Sequence, residues 1–417
     1  MEKDKSSKQQ FSTRIIAAPY SKQDTHGAIN MPVYRSAAFE FGSAEAIANA
    51  FQNKEAAHTY TRISNPSVEN LERKILAASA ADNVMVLSSG MAAISNTFLA
   101  IAYTGCNIVT SPHLFGNTFS LFQFTFASFG IEVRFVNTDD LEEIANAIDE
   151  NTIAFFCELI TNPHMEVANL TEISKITRAR NIPLIVDTTI IPWCGFNARD
   201  AGVDIEVVST TKYISGGATS IGGAILDYGT FDWQHNKKLA DAPKTDSMSE
   251  FMFKIKREIA RNIGANMDPD TASLQALGME TLQLRYERMS QSAYDLALFL
   301  SEQSNVVKVS YPKLDNYKYK RLSDRLFAGN PGAMLTFNLK SKEDCFRFQD
   351  HLQIIRRATN LFDIKSLIIH PGSTIYGTFS PEMKAIMGIE DNLLRLSVGL
   401  EDISDLKTDI VRALEQL

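Results

Sequence analysis

The sequence predicts an α/β fold, in which a large domain with a mostly parallel sheet is followed by a smaller α+β C-terminal domain. From about residue 68 to residue 265, short apolar runs alternate with helical patterns, which is typical of buried parallel strands joined by helices. After residue 265 the order of strands and helices becomes mixed. The first 65 residues are polar and irregular with scattered apolar positions, and we expect them to form an arm that packs on another surface.

We therefore expect three segments: a subunit-contacting arm over residues 1–65, a large domain over 66–265 and a small domain over 266–417. The large-domain strands are predicted at Val84–Leu87, Ile108–Thr110, Glu132–Val136, Ile153–Leu159, Leu184–Val186, Ile205–Val208 and Gly223–Leu226. Its helices are predicted at Glu69–Ala80, Met91–Ala102, Leu141–Ile148 and Leu170–Arg180. In such sheets ligands bind at the carboxyl ends of strands.

The small domain is predicted from a weaker pattern. Its expected elements are one long helix over Thr271–Leu300, strands at Val306–Val309, Met334–Leu339 and Leu394–Val398, and helices near Glu343–Leu352 and Ile403–Leu414.

The composition argues against several classes of partner. The 417 residues carry a formal net charge of -8, whereas nucleic acids and anionic membranes attract clustered positive charge. No apolar run approaches the length of a membrane span. The four widely spaced cysteines form neither a CxxC pair nor a metal-ligand cluster. We expect a cytoplasmic protein with reduced thiols and without metal, nucleic acid or membrane.

The strongest local signal surrounds Lys212. This lysine follows the apolar run Ile205–Val208 and is flanked by Ser209, Thr211 and the glycines that begin at Gly216. A strand-end amine in this setting is suited to form a Schiff base with a carbonyl cofactor. The hydroxyl groups are suited to bind a phosphate, and the glycines allow the backbone to approach a ligand closely. The alternative is a lysine that emerges into solvent.

Asp187 ends another apolar run, Ile182–Val186. A buried carboxylate is costly unless it meets a positive group. A protonated pyridine nitrogen is such a group, and its ring would then be a stronger electron sink. The alternatives are a helix cap and a structural ion pair.

Two further segments follow apolar runs. Gly90 and Met91 lie at a strand-to-helix turn, where free backbone N–H groups form an anion site. Phe115 follows Ile108–Thr110, where an aromatic face can stack on a cofactor ring. The alternatives are an ordinary glycine turn and a core aromatic.

Together these segments resemble the Cys/Met-metabolism family of pyridoxal phosphate enzymes, which have the aspartate-aminotransferase-like fold (PLP fold type I). The resemblance extends from about residue 25 to the C-terminus. The segment Tyr60–Pro66 is similar to the family motif Tyr-x-Arg-x-x-Asn-Pro. In that family the Tyr and Arg reach the phosphate of the neighbouring subunit, so Tyr60 and Arg62 are expected to act in trans.

The resemblance implies pyridoxal 5'-phosphate as cofactor and assigns a role to each matching residue. Lys212, Phe115 and Tyr60 are the expected catalytic side chains. Arg395 matches the arginine that binds the substrate α-carboxylate, and Asn360 the residue that helps to orient it. The expected cofactor-binding residues are Gly90, Met91, Phe115, Asn162, Asp187, Ser209, Thr211, Lys212, Tyr60 and Arg62.

Within the family the chain is most similar to the O-acetylhomoserine sulfhydrylase branch, over Ile221–Trp233 and Lys365–Pro371. This implies γ-replacement on an O-acylhomoserine, such as the O-acetyl ester, by sulfide or a small thiol. It also implies a homo-oligomer built as a dimer of dimers. Asn117 stands where methionine γ-lyases have Cys, which counts against that activity.

Two departures from the family bear on specificity. Phe115 replaces a stacking Tyr, so a hydroxyl is lost. Phe362 replaces a small residue, usually Gly, near the substrate end, so we expect a reshaped pocket. The alternatives are a γ- or β-lyase of sulfur amino acids, an aminotransferase, and a binding protein without catalysis. The intact Lys212, Asp187 and Arg395 argue against the last.

Overall fold

The computed structural model of the chain describes residues 9–18, 26–245 and 248–417. Within these residues the strands form two sheets, one of seven strands and one of five. Among the described residues, none of the helices combines the length and the apolar character that a membrane span requires. The predicted three-segment division stays a prediction.

The seven-stranded sheet has the order β1-β7-β6-β5-β4-β2-β3 within the described chain. The strand β7 is antiparallel to β1 and β6, and the other neighbours are parallel, so the predicted mostly parallel sheet is confirmed. Its strands are β1 (Asn83–Leu87), β2 (Asn107–Thr110), β3 (Glu132–Phe135), β4 (Thr152–Glu158), β5 (Leu184–Asp187), β6 (Ile205–Val208) and β7 (Gly223–Asp227).

Both faces of this sheet are buried because its side chains alternate between two apolar clusters. On β4, Phe155 and Cys157 belong to one cluster, whereas Ala154 and Phe156 belong to the other. Strands buried on both faces read as continuous apolar runs, which is why the sequence revealed them. The α-helices over residues 9–263 are Phe11–Ile16, Ala44–Phe51, Pro66–Ser79, Gly90–Ile101, Gly116–Ser120, Leu141–Ala147, Leu170–Ala179, Glu250–Lys254 and Ala260–Ile263.

The topology places the site. The carboxyl ends of β1, β2, β4, β5 and β6 meet at one edge of the sheet because these strands run in the same direction. The loops that follow them therefore converge on a shared space.

The second sheet has the order β10-β11-β12-β9-β8 within the described residues and is mainly antiparallel. Apolar side chains pack its helices on the strands, among them Leu296, Phe337 and Phe348. Its strands are β8 (Lys308–Ser310), β9 (Met334–Asn338), β10 (Arg356–Arg357), β11 (Leu367–Ile369) and β12 (Leu393–Ser397). The helices from residue 266 onward are Pro269–Glu280, Leu282–Ser301, Lys320–Phe327, Lys342–His351, Pro381–Ile386 and Ile403–Leu414.

The predicted single helix over Thr271–Leu300 is wrong. The chain forms two helices that meet at Thr281, whose ψ of 11° departs from helical geometry. Residue 281 is neither Gly nor Pro, so no helix-breaking residue at this position revealed the break. The first helix also begins earlier than predicted, because Asp268 caps it by accepting hydrogen bonds from the N–H groups of Asp270 and Thr271.

Other predicted boundaries shift by a few residues. The strand predicted at Val306–Val309 is Lys308–Ser310. The helix predicted at Glu69–Ala80 begins at Pro66, because the Asn65 side chain caps it.

The described residues of the predicted arm are partly packed on the rest of the chain and partly exposed. Ile15 is buried and its carbonyl accepts a hydrogen bond from the Lys74 amine. Further along, Ile29 is 94% exposed and Phe51 58% exposed. Apolar side chains so exposed indicate a contact surface.

Candidate active site

A cavity of about 430 Å³ lies at the carboxyl edge of the large sheet and is closed on one side by β12 and the loop before β11. Ten of the twelve predicted site residues line it, and Tyr60 and Arg62 do not. The ten are Gly90, Met91, Phe115, Asn162, Asp187, Ser209, Thr211, Lys212, Asn360 and Arg395.

Lys212 follows β6, and its side chain projects into the cavity. Its amine donates a hydrogen bond of 2.6 Å to the Asn360 side-chain oxygen. Burial and, to a smaller extent, the Arg395 charge lower the pKa of Lys212, the Asp187 charge raises it, and the resulting pKa is about 8. A substantial fraction of the amine is therefore neutral near pH 8, as a nucleophile or a proton acceptor must be.

Two carboxyl groups lie next to each other at the ends of adjacent strands. Glu158 on β4 is in register with Asp187 on β5, and burial raises the pKa of both. The pKa of Glu158 rises to about 8, with the nearby Asp187 charge as a second cause. The Glu158 carboxyl accepts hydrogen bonds from the N–H groups of Phe115 at 2.6 Å and Asn162 at 3.2 Å.

Sequence reasoning missed Glu158. The signal was present, because Glu158 lies in the predicted strand run Ile153–Leu159 much as Asp187 ends its own run. Thr189, Thr359 and Leu361 also line the cavity without having been predicted. They lie in loops, where no sequence periodicity marks a side chain that faces a ligand.

A phosphate-sized cradle lies where the helix Gly90–Ile101 begins. Ser89 caps the helix by accepting a hydrogen bond from Ala92 N–H, and the preceding N–H groups of Gly90 and Met91 have no partner within the helix. A Cβ on residue 90 would lie 2.7 Å from the Ser209 Cβ. Glycine therefore keeps open a space between the helix N-terminus and the Ser209 side chain, and this space is suited to an anion.

Arg395 on β12 is 1% exposed. One terminal nitrogen donates to the Asn162 side-chain oxygen at 3.3 Å, and the other donates to the Thr359 and Asn360 carbonyls at 3.0 and 3.3 Å. Its Nε is buried and has no hydrogen-bond partner within the described residues. Burial lowers the pKa of Arg395 to about 9. Such a cation is suited to bind an anionic group.

Phe115 lines the cavity, and its backbone N–H is held by Glu158. Phe362, however, is not among the lining residues, so any effect it has on the shape of the pocket is indirect. Its ring is 1% exposed and stacks on Tyr213, with centroids 4.3 Å apart. The loop turns the Phe362 side chain into the core.

Tyr60 and Arg62 lie outside the cavity of their own chain. The Tyr60 side chain is 43% exposed, and the Arg62 guanidinium lies 5.3 Å from its ring centroid. Arg62 also donates a 2.7 Å hydrogen bond to the Arg261 carbonyl. Both are accessible to a second subunit, as an action in trans requires.

The side chains in the cavity fit pyridoxal phosphate. The open cradle at Gly90 suits its phosphate, and Asp187 gains a partner if a protonated ring nitrogen faces it. Phe115 offers an apolar face, and Lys212 an amine that is partly neutral. The Arg395 Nε, which has no partner in the part of the chain that the structure describes, leaves capacity for a further anion in the same cavity.

Comparison with known proteins agrees with this geometry. The family described as Cys/Met metabolism PLP-dependent enzyme matches residues 12–415. O-acetyl-L-homoserine sulfhydrylase 1 of Thermus thermophilus is 35% identical over 419 residues, which cover 97% of this chain and 99% of that protein.

Two solved structures are similar to the whole or most of the chain. One, from Campylobacter jejuni subsp. jejuni, carries N'-pyridoxyl-lysine-5'-monophosphate; it is 31% identical, with a TM-score of 0.91 and coverage of 98% of this chain and 100% of that one. The other is O-acetylhomoserine sulfhydrylase of Wolinella succinogenes, which is 43% identical and has a TM-score of 0.75. The match covers 85% of this chain and 98% of that one.

The lowered pKa of Lys212 predicts how cofactor attachment depends on pH. The rate at which apoprotein gains the visible absorbance of lysine-linked pyridoxal phosphate should rise with a midpoint near the Lys212 pKa of about 8, because only the neutral amine attacks the carbonyl. Stopped-flow absorbance between pH 6 and 11 measures it. A midpoint at the ordinary lysine value would contradict the burial of the amine, and Lys212→Ala should gain no such absorbance.

Proposed function

Because the chain belongs to the Cys/Met-metabolism family of PLP-dependent enzymes, we propose that it catalyses γ-replacement on an O-acylhomoserine. The proposed substrate is O-acetylhomoserine, the nucleophile is sulfide or a small thiol, and the product is homocysteine or a homologue. The observation that carries the proposal is the pairing of a partly neutral Lys212 with a buried Arg395 in one cavity.

The two residues suit an α-amino acid because they offer one group for each end of its polar head. The Arg395 guanidinium, with one nitrogen unpaired among the described residues, is proposed to bind the α-carboxylate. The Lys212 amine is proposed to accept the α-proton and later to return it. Pyridoxal phosphate, when bound, supplies an electron sink conjugated to the α-carbon.

The remaining side chains hold these groups in position. Asp187 would stabilise a positive charge at the ring nitrogen of bound pyridoxal phosphate, and Phe115 would cover one face of its ring. Glu158 fixes the main chain of Phe115 and Asn162 through two hydrogen bonds, and Asn162 in turn accepts from Arg395. A single carboxyl group thus links the ring-covering residue to the carboxylate-binding one.

Two relatives support replacement by sulfide. The Thermus thermophilus and Wolinella succinogenes proteins are both named O-acetylhomoserine sulfhydrylases. Asn117 lines the cavity, at the position where the sequence resemblance places the Cys of methionine γ-lyases. The Asn carboxamide lacks a thiol, which favours replacement over methionine cleavage.

We further propose that the active site is completed by a second subunit. Tyr60 and Arg62 have exposed positions outside their own cavity, and apolar side chains of the same segment are open to contact. Tyr60 and Arg62 would reach the partner's phosphate cradle, and two such dimers would form a tetramer. The three-segment division is part of this proposal, since the arm is the segment that crosses the interface.

The proposed reaction is tested with purified holoenzyme, O-acetylhomoserine and sulfide. Homocysteine should form and depend on both substrates, because γ-replacement needs an ester leaving group and a nucleophile. O-succinylhomoserine, cystathionine and methionine serve as comparison substrates. Release of ammonia and a keto acid without sulfide as the main reaction would instead identify a lyase, and a requirement for a keto acid would identify an aminotransferase.

Replacement of Arg395 by Lys should weaken substrate binding more than turnover. The charge is kept but the two-pronged geometry is lost, so KM for the amino-acid substrate should rise roughly ten- to a hundredfold. Steady-state kinetics at saturating sulfide measure this. Arg134→Lys is the matched control, because Arg134 pairs with Glu132 and Asp149 outside the cavity. An unchanged KM in Arg395→Lys would contradict the assignment.

Subunit complementation tests the shared site. Arg62→Ala and Lys212→Ala should each be inactive, and a mixture should regain activity because one site of a mixed dimer carries neither change. After random exchange, about half of the dimers are mixed, and roughly a quarter of the wild-type activity is expected. Exchange is verified by mass spectrometry. If mixed dimers form and remain inactive, Arg62 acts within its own subunit.

A further inference from the structure

Phe362 has a backbone conformation that its side chain disfavours. Its φ is +55°, in the left-handed region where a bulky residue is an outlier. Such a conformation persists only when surrounding contacts enforce it. The contacts of Phe362 therefore show which neighbouring residues keep its backbone in this strained conformation.

Two contacts enforce this conformation. The Phe362 ring stacks on Tyr213, with centroids 4.3 Å apart and planes 10° apart. The Phe362 N–H donates a 2.7 Å hydrogen bond to the Ser397 hydroxyl. Tyr213 follows Lys212 directly, and Ser397 lies two residues beyond Arg395 on β12. Phe362 therefore contacts a near neighbour in the chain of each of these two cavity residues.

Tyr213 is itself held firmly. Its ring is 2% exposed, its hydroxyl accepts from Ala333 N–H at 2.9 Å, and its carbonyl accepts from Arg285 at 2.8 Å. The Phe362 ring thus rests on a fixed platform, and the stack transmits that rigidity to the loop before Phe362.

That loop carries the partners of Arg395. The Thr359 and Asn360 carbonyls accept hydrogen bonds from the guanidinium, and the Asn360 side chain accepts from Lys212. These contacts depend on where the loop backbone lies, and Leu361, the last lining residue of the loop, joins it directly to Phe362.

We propose that Phe362 is a positioning residue, which locks the loop 359–361 so that its carbonyls aim the Arg395 guanidinium at the substrate carboxylate. Phe362 does not touch the substrate. The strained backbone conformation of Phe362 is retained because the buried stack holds the loop in a fixed position relative to Lys212. This inference rests on the proposed role of Arg395 in binding a carboxylate.

Ligand binding to the holoenzyme tests this without turnover. L-homoserine has the α-carboxylate, and 3-amino-1-propanol is the same molecule without it. Visible absorbance changes report the dissociation constant of each. In Phe362→Gly and Phe362→Leu, homoserine binding should weaken roughly tenfold, as expected for a misaligned charged hydrogen bond. Aminopropanol binding should stay nearly unchanged.

Three further variants separate positioning from stability. Phe362→Tyr keeps the stacked ring and should keep the preference for homoserine. Phe251→Leu removes a buried ring that stacks on Trp233 at 4.8 Å, away from the cavity, and should lower thermal stability without changing that preference. Ala328→Gly relieves a positive φ of 48° at a residue that does not line the cavity, and it should leave the preference for homoserine unchanged.

The outcomes distinguish this inference from the proposed reaction. If Phe362→Gly or Phe362→Leu weakens both ligands equally, or neither, Phe362 is only a core residue and the inference fails. Either variant is sufficient, should the other not fold. If the wild-type protein prefers homoserine and the variants lose that preference, the inference holds. Failure to turn over any O-acylhomoserine would overturn the proposed reaction and would leave this inference standing.

Discussion

The guanidinium of Arg395 is buried among backbone carbonyls and an amide oxygen. A cation removed from water without a carboxylate partner costs on the order of several kcal/mol. The guanidinium stays buried in spite of this cost because β12, which is paired on both sides, holds the side chain against the loop 359–361. The cavity is thereby prepared for an anion before any ligand arrives.

The same desolvation acts on the other ionisable groups of the cavity, with opposite consequences for acids and bases. It lowers the pKa of Lys212 and raises that of Glu158, both to about 8. The amine is thus partly neutral and the carboxyl group partly protonated at the same pH. Their charges also interact, since Arg395 lowers the Lys212 pKa and Asp187 raises it. The cavity therefore titrates as a set of coupled groups.

The geometry of the cavity follows from the topology of two sheets. The large sheet brings Lys212, Asp187 and Glu158 to one edge, because β4, β5 and β6 run parallel. The small sheet supplies Arg395, with the loop before β11 as its support. The Phe362–Tyr213 stack joins the two groups of elements next to the cavity. With the proposed roles of Arg395 and Lys212, substrate binding requires that the two sheets keep a fixed position relative to each other.

Three features could be predicted from the amino-acid sequence alone: the mostly parallel sheet, the strand-end positions of Lys212 and Asp187, and the family resemblance that pointed to Arg395. These features are local, since a doubly buried strand is a continuous apolar run and a ligand-binding residue follows its carboxyl end. Features that depend on contacts between residues far apart in the chain could be seen only in the folded structure. The helix break at Thr281 has neither Gly nor Pro at that position to mark it, and Glu158 became a site residue only through its hydrogen bonds to Phe115 and Asn162. Phe362 was expected near the substrate end, and it lies behind the cavity because a backbone φ of +55° directs its ring onto Tyr213. The direction of a loop side chain is set by the packing around it and not by its neighbours in the chain.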